Sequence, residues 1–437
     1  MRKEEVIKMF TLEKSYLSAI LFATFCIALI LFPPITLPYF TFKLQVIDFF
    51  MPLFAGIIMY KKWYKNWSLL YVKNFLFLIG IIVFSIILNK QWTAINDWFE
   101  VYKVIKWVLV FLVFKELYTP KINTAFIDVI FIFLLIFNFL HYYNLFNFNQ
   151  IVMPLYCGEN SIRLTYFGLN SAGLPAAKRM MGTMANPNDN AILFLIFMIF
   201  YLPKERWKTK DICFFVLCLI AFLACQSRTS LVAFLALIVV NFIVINIKWT
   251  KVATYSGLIV VVVLTFFYSH KIADFFHLEQ LIPPGDVSAI LIDEMDIHSY
   301  SLTLLDGTAL RSFSWTKRLE LWKQYLSQFL ESPIIGHAPQ KNYFYEQKLY
   351  FENEYILFMW RYGLLGLISL IGFYLIPVKK IFKTIRSSEI SKNALLFIII
   401  FAICGLSNVP LSNTTLSLLF FSYLGVFYSQ KIKYNVA

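Results

Sequence analysis

The stretch "CQSRTSLVAFLALIVV", residues 225–240, sets a single arginine, Arg228, at the mouth of a long apolar run, with a second apolar run ending just before it. About 20 apolar residues are needed to cross roughly 30 Å of hydrocarbon as a helix, and this run with its continuation approaches that length. Such runs recur from one end of the chain to the other. Of 437 residues, 59% are hydrophobic and 15% charged, with 47 Phe and 25 Tyr, a composition far from that of a soluble domain. The reading is an all-α polytopic membrane protein, a single membrane domain over 1–437. It predicts about 12 spans, near 15–33, 44–60, 69–88, 104–118, 122–142, 189–203, 211–226, 229–246, 252–268, 354–376, 393–408 and 414–430. The first run is followed by "FPPITLPYF" rather than a small-residue cleavage site, so it reads as a membrane helix and not a removable signal.

The formal net charge of +14 invites a nucleic-acid reading, but the positions of the cations argue against one. More than half of the 39 Lys and Arg residues fall in short segments such as "KKWYKNW", "PKERWKTK" and "KKIFKTIRSSEISK", which alternate along the chain as the positive-inside rule requires if both termini are cytoplasmic. The partner of this basic excess is then the anionic lipid surface. In that orientation every inside loop is short and two outside segments are long, 143–188 and 269–352, which places the working surface outside. The six cysteines form neither a disulfide framework nor a metal-ligand spacing, and Cys157 stands apart in a polar loop. No internal repeat relates the two halves, unlike many transporters.

Within the second long segment, "SWTKRLELWKQYLSQFLESP", Ser314 to Pro333, reads as an amphipathic helix. Trp315, Leu319, Trp322, Leu326 and Phe329 form its apolar stripe, Ser314 its N-cap and Pro333 its stop. Arg318 falls at the edge of the stripe, aimed at the bilayer surface.

Three constellations could carry chemistry. Arg228 shares the outside surface with Lys178, Arg179, Arg311, Lys317 and Arg318, against the general charge bias. A guanidinium presents a planar fork of donors suited to phosphate, so several together suggest a diphosphate. The other reading is that they pair with loop carboxylates such as Glu159, Asp286 or Asp293. Second, "KRMMGTMANPNDNAILFLIF", residues 178–197, is a tight turn leading into a helix, in which Asn186, Asn188 and Asn190 are either caps or a lining for an anion or sugar. Third, "YFENEYILFMWRYGLLGLISL", residues 350–370, places Glu352, Glu354 and Tyr355 at a helix start. Either carboxylate is a dipole partner or a base for a sugar hydroxyl, and Arg361, seven residues after Glu354, is its expected counter-ion. His337 in "GHAPQ" is a weaker acid or base candidate. "DEMDIH", 293–298, lacks a full calcium loop, and no metal or cofactor is expected. The intramembrane charges Asp48, Asp128 and Arg361 would suit a transport path, the reading of this chain as a flippase for lipid-linked sugars.

These stretches, in this order, resemble the O-antigen polymerase and O-antigen ligase superfamily of bacterial envelope glycan assembly. The likeness rests on "RMMGTMANPNDNA", then "SRTSLVAFLAL", then "RLELWKQYLSQFLESPIIGHAP" followed by "ENEYILFMWRYGLLG". Ligases of the superfamily commonly have histidine where Glu352 stands, a departure that favours the polymerase branch. The resemblance implies a fold like that of the polytopic GT-C glycosyltransferases and a site on the periplasmic side of the bacterial inner membrane. It implies oligosaccharides on undecaprenyl diphosphate as donor and acceptor, with a chain-length regulator as a further partner. Arg228 and Arg318 would then stabilise the departing diphosphate, and Glu352, or else Glu354, would take the proton of the attacking hydroxyl. Lys178, Arg179, Asn186, Asn188, Asn190, Arg311, Lys317, Tyr355 and His337 would hold substrate.

Overall fold

The computed structural model describes residues 23–36, 43–62, 69–117, 125–157, 179–204, 207–245, 307–346 and 351–429, with three short pieces between 252 and 260. The ninth expected span lies mostly outside the described residues, as do Lys178, Glu159, Asp286 and "DEMDIH".

Where the sequence is apolar for long enough, it is helical. The elements are α1 (Phe50–Tyr60), α2 (Leu70–Leu88), α3 (Ile95–Leu117), α4 (Ala125–Tyr142), α5 (Pro187–Tyr201), α6 (Thr209–Ala224), α7 (Arg228–Ile245), α8 (Gly307–Phe329), α9 (Lys341–Glu346), α10 (Glu354–Thr384), α11 (Glu389–Cys404) and α12 (Thr414–Ser429). Residues 23–30 are also helical, and Ile35–Thr36 pairs with Lys43–Leu44 in a two-residue antiparallel ribbon. Among the described residues, α2 and α10 are by themselves long and apolar enough to cross a membrane, and the bent pair Phe126–Tyr142 with Leu145–Leu155 makes a third candidate. Helix α3 begins at Ile95, well before the expected 104, because Asp97 and Glu100 are paired within the protein and need no water. Cys157, expected in a polar loop, is buried against Met153 and Met181.

The bundle leaves apolar side chains facing outward at helical spacing. On α7, Val232, Leu235, Val239 and Ile243 are exposed while Ala233, Phe234, Leu237 and Ile238 pack inward. Such a ridge is unfavourable against water and ordinary against lipid. Interhelical packing relies on close approach and hydrogen bonds. Gly425 of α12 lies against the backbone of Phe111 on α3, where the Trp107 Nε1 donates to Ser417 Oγ at 3.0 Å. The Asn74 Nδ2 of α2 donates to the Ser369 carbonyl of α10 at 2.9 Å.

Helix α8 starts at Gly307 and not at Ser314, since nothing in 307–313 interrupts a helix and the hydroxyl signal alone does not begin one. Its inward face also differs from the expected stripe. Leu319 and Leu326 are exposed, whereas Leu321 and Tyr325 sink into a cluster with Phe344, Phe351, Leu357 and Trp360. Tyr325 stacks on Phe351 at 4.0 Å, Trp322 Nε1 donates to the Phe351 carbonyl at 3.0 Å, and Trp360 Nε1 to Gln328 Oε1 at 2.9 Å.

Helix α10 is broken at Gly363, whose φ of 65° and ψ of −163° are non-helical. The amides beyond the break turn outward, so that Leu364 N donates to the Pro333 carbonyl at 2.8 Å and Leu365 N to Ile334 at 3.3 Å. The loop after α8 is thereby fastened to α10. A Cβ at 363 would stand 2.2 Å from Ile334 backbone atoms. Gly363→Ala is therefore expected to cost about 1–3 kcal/mol from a backbone region that essentially glycine alone populates, before any steric shift. Gly80→Ala on α2, where a Cβ meets nothing within 4 Å, should be neutral or slightly stabilising. Thermal unfolding of the two detergent-solubilised variants checks this contrast.

Candidate functional site

Helix ends leave backbone donors and acceptors without intrahelical partners, and in apolar surroundings those groups must be met by side chains. At one end of the bundle this requirement gathers the starts of α5, α7, α10 and α12 with the ends of α6 and α11. Asn186 caps α5, accepting from Asn188 N at 2.8 Å, and Asn353 caps α10, accepting from Ile356 N at 3.0 Å. Asp189 takes both loop amides of the α11–α12 turn, from Asn408 Nδ2 at 3.1 Å and Asn413 Nδ2 at 2.9 Å.

The segment 179–190 is wedged into this end. Met180 N donates to the Ala224 carbonyl at 3.0 Å, and the buried Asn190 Nδ2 donates to Asn138 Oδ1 at 2.7 Å and to the Met180 carbonyl at 3.2 Å. Gly182, at φ 50°, admits the Asn138 side chain where a Cβ would meet its Oδ1 at 2.3 Å. Arg179 then lies across the α6–α7 turn. Its Nε donates to the Cys225 carbonyl at 3.0 Å, and its Nη2 to Asn188 Oδ1 at 2.7 Å and the Gln226 carbonyl at 3.4 Å.

Arg228 and Arg318 lie near enough to Arg179 to act on it through their charge. Burial draws the Arg179 pKa below its ordinary value, and Arg228 and Arg318 act in the same direction through their like charge. Arg228 opens α7, is exposed, and has no carboxylate within ion-pair distance among the described residues. Arg318 reaches from α8 to form an ion pair through its Nε with Glu352 Oε2. Glu352 sits at φ 45°, a left-handed backbone that non-glycine residues adopt at a cost of roughly 1–2 kcal/mol, and its side chain is 45% exposed. Such conformations are found where the surroundings over-determine them, often at working sites.

The other expected site residues have different occupations. Glu354 is buried, with Oε1 accepting from Leu411 N at 2.8 Å and Oε2 from the Tyr374 hydroxyl at 3.4 Å. Its expected counter-ion, Arg361, faces elsewhere: Nη1 is 3.9 Å from Glu100 Oε1, and the guanidinium lies over the Phe344 ring. The shared helix face was a sound inference for neighbouring positions, but the Gly363 break and the docked loop give Arg361 a partner on α3. Tyr355 donates from its hydroxyl to the Ala402 carbonyl at 2.7 Å. His337 packs on Trp360 and donates through Nε2 to the Gln328 carbonyl at 2.9 Å, since a carbonyl can only accept. Asn186 and Asn190 serve the scaffold, and among the described side chains Asn188 is the one of the three asparagines that bonds to an arginine. Arg311 and Lys317 fall on the first half of α8, with side chains outside the described set. Asp48 is paired with Lys106 and Asp128 with Lys210, so these charges form separate local pairs. Asp189 and the pairing of Glu100 with Lys341 and Arg361 were missed because those partners lie more than two hundred residues away, although Lys103, which also pairs with Glu100, is only three residues on.

Residues 213–371 match the family model described as O-antigen ligase. The match lies within the superfamily that the sequence resembles and contains Arg228, Arg318, Glu352 and Glu354. It covers less than half of the chain, and the buttressing segment 179–190 lies outside it. The chain has no match among curated proteins.

Glu354→Gln keeps an oxygen for Leu411 N and should unfold at a temperature close to that of the native chain. Glu354→Ala strands that buried amide at a cost of about 1–3 kcal/mol and should unfold several degrees earlier. Thermal unfolding separates the two.

Proposed function

We propose that the protein is a polymerase of a lipid-linked surface glycan. In this reading it is a polytopic enzyme of the bacterial inner membrane with about 12 spans, both termini cytoplasmic and its site on the periplasmic side. A growing chain carried on undecaprenyl diphosphate is transferred through its reducing-end sugar to the non-reducing end of a fresh lipid-linked repeat unit. The observation that carries the reading is the ion pair of Arg318 with Glu352, together with the like charge that Arg228 and Arg318 exert on Arg179.

The chemistry follows from those positions. The acceptor hydroxyl oxygen attacks the anomeric carbon, the bond from that carbon to the diphosphate oxygen breaks, and configuration inverts. The proton of the hydroxyl passes to Glu352. The electron pair leaves with the diphosphate, whose growing charge is met by Arg228 and Arg318 as preorganised electrostatics, with no step routed through a metal. Arg179 is tethered by three hydrogen bonds, so it contributes its field and the position of Asn188 more than a mobile clamp. Glu354 is reserved for the fold by its bond to Leu411 N, which leaves Glu352 as the exposed carboxylate beside an arginine.

A ligase, which would pass the completed glycan to a lipopolysaccharide core or a protein, is the second reading, favoured by the description of the matching family model. A single experiment separates them. Purified protein given only lipid-linked repeat units, without nucleotide sugar, should yield a ladder of longer glycans, whereas a ligase yields none until its own acceptor is added. Arg228→Ala and Arg318→Ala should each lower the rate about 100-fold or more, the scale of losing one preorganised charge partner. Glu352→Gln should lower kcat by about 100-fold or more, as expected for a lost general base. Full activity in both arginine variants would overturn the mechanism.

A further inference from the structure

Segment 182–189 has a second side. Thr183, Met184 and Ala185 form one wall of a cavity of about 420 Å³ whose other walls include Asp48, Glu100, Lys103, Lys106 and Lys341, with Asn413 at the rim of the same loop that holds Asp189. That volume lies within the range of small-molecule sites, about 300–1,000 Å³, and suits one or two sugar residues.

The charges in the wall decide what it can hold. Lys106 Nζ is 2.9 Å from Asp48 Oδ1 and Lys341 Nζ 2.8 Å from Glu100 Oε1, while Lys103 pairs with the other Glu100 oxygen. The three ammonium groups already share two carboxylates, so an incoming phosphate would compete with Asp48 and Glu100 for them and face their like charge. A sugar hydroxyl donates to a carboxylate and accepts from an ammonium at once, and it can join the pairs without dismantling them. Two further groups call for such a partner. Gln45 and Thr183 both line the cavity, and among the described residues Gln45 Oε1 and Thr183 Oγ1 are buried with no hydrogen-bond partner, although Gln45 Nε2 is held by Thr415 Oγ1. Tyr102, fixed by its hydroxyl to Asp48 Oδ1 at 3.1 Å, adds a ring to the wall.

We infer that this cavity binds a neutral, hydroxyl-rich sugar residue of the glycan, contacted by Gln45 and Thr183, while the diphosphate lies at the arginines. The inference rests on the proposed function for the identity of the glycan, but its chemistry is independent of whether the enzyme polymerises or ligates. One partition serves both compartments: Thr183 faces the sugar, and Asn188, five residues on, holds Arg179.

The test measures binding of two probes to the full-length protein in lipid nanodiscs: the repeat-unit oligosaccharide released from its carrier, and undecaprenyl diphosphate without sugar. Combining Gln45→Leu with Thr183→Val is expected to weaken the oligosaccharide about tenfold, the scale of two neutral hydrogen bonds, and to leave the lipid diphosphate within about twofold. Thr183→Ser keeps the hydroxyl and should bind as the native protein does, which guards against a folding defect. Arg228→Ala should show the opposite pattern. Native affinity for the oligosaccharide in the double variant, or no binding of that probe by the native protein, overturns the inference. Binding of the oligosaccharide with the expected losses, but none of the lipid diphosphate, would uphold the cavity and overturn the polymerase reading.

Discussion

The break at Gly363 is the constraint on which the arrangement of the site depends. A continuous helix from Glu354 to Thr384 would consume its own amides; instead Leu364 and Leu365 offer theirs to Pro333 and Ile334, and the loop after α8 is bolted to α10. That bolt sets the height of α8 against the aromatic cluster of Tyr325, Phe344, Phe351 and Trp360. Arg318 lies two turns before Tyr325 on the same inward face, so the rings fix where its guanidinium can reach, and Glu352 follows Phe351 directly in the chain. The ion pair between Arg318 and Glu352 thus inherits its position from packing that involves no charge at all.

Division of labour between neighbouring residues is the second theme. Glu352 and Glu354 are two residues apart, on either side of the capping Asn353, and are therefore turned to opposite surroundings. One is exposed beside an arginine on a strained backbone; the other is buried and spent on the α11–α12 loop. The asparagines of 186–190 divide likewise into a cap, a tether for Arg179 and a buried strut. A carboxylate or amide at a helix start has both a structural and a chemical use, and tertiary neighbours decide which one prevails.

This division explains what could be read from the sequence. Element positions were legible because apolar length and period are local properties: α2, α5, α6, α7 and α12 begin and end within two residues of the expected limits. Arg179, Arg228 and Arg318 also stand out in the sequence, against the general charge bias. The inward face of α8, the partner of Arg361 and the burial of Glu354 were not legible, because each is decided by residues distant in the chain. Period alone groups Leu319 and Leu326 into an apolar stripe set against the membrane surface or the bundle, and does not show that the pocket built by Phe344, Phe351 and Trp360 takes Tyr325.

Helix α7 carries Arg228 at its first residue and the exposed ridge of Val232, Leu235, Val239 and Ile243 below it. Under the proposed function, a polyprenyl tail can run down that ridge while its head group meets the guanidinium. Capture of substrate then becomes an encounter in two dimensions, paced by sideways drift within the leaflet and by the crowding of other isoprenoid carriers, with the aqueous concentration of substrate having no part in it.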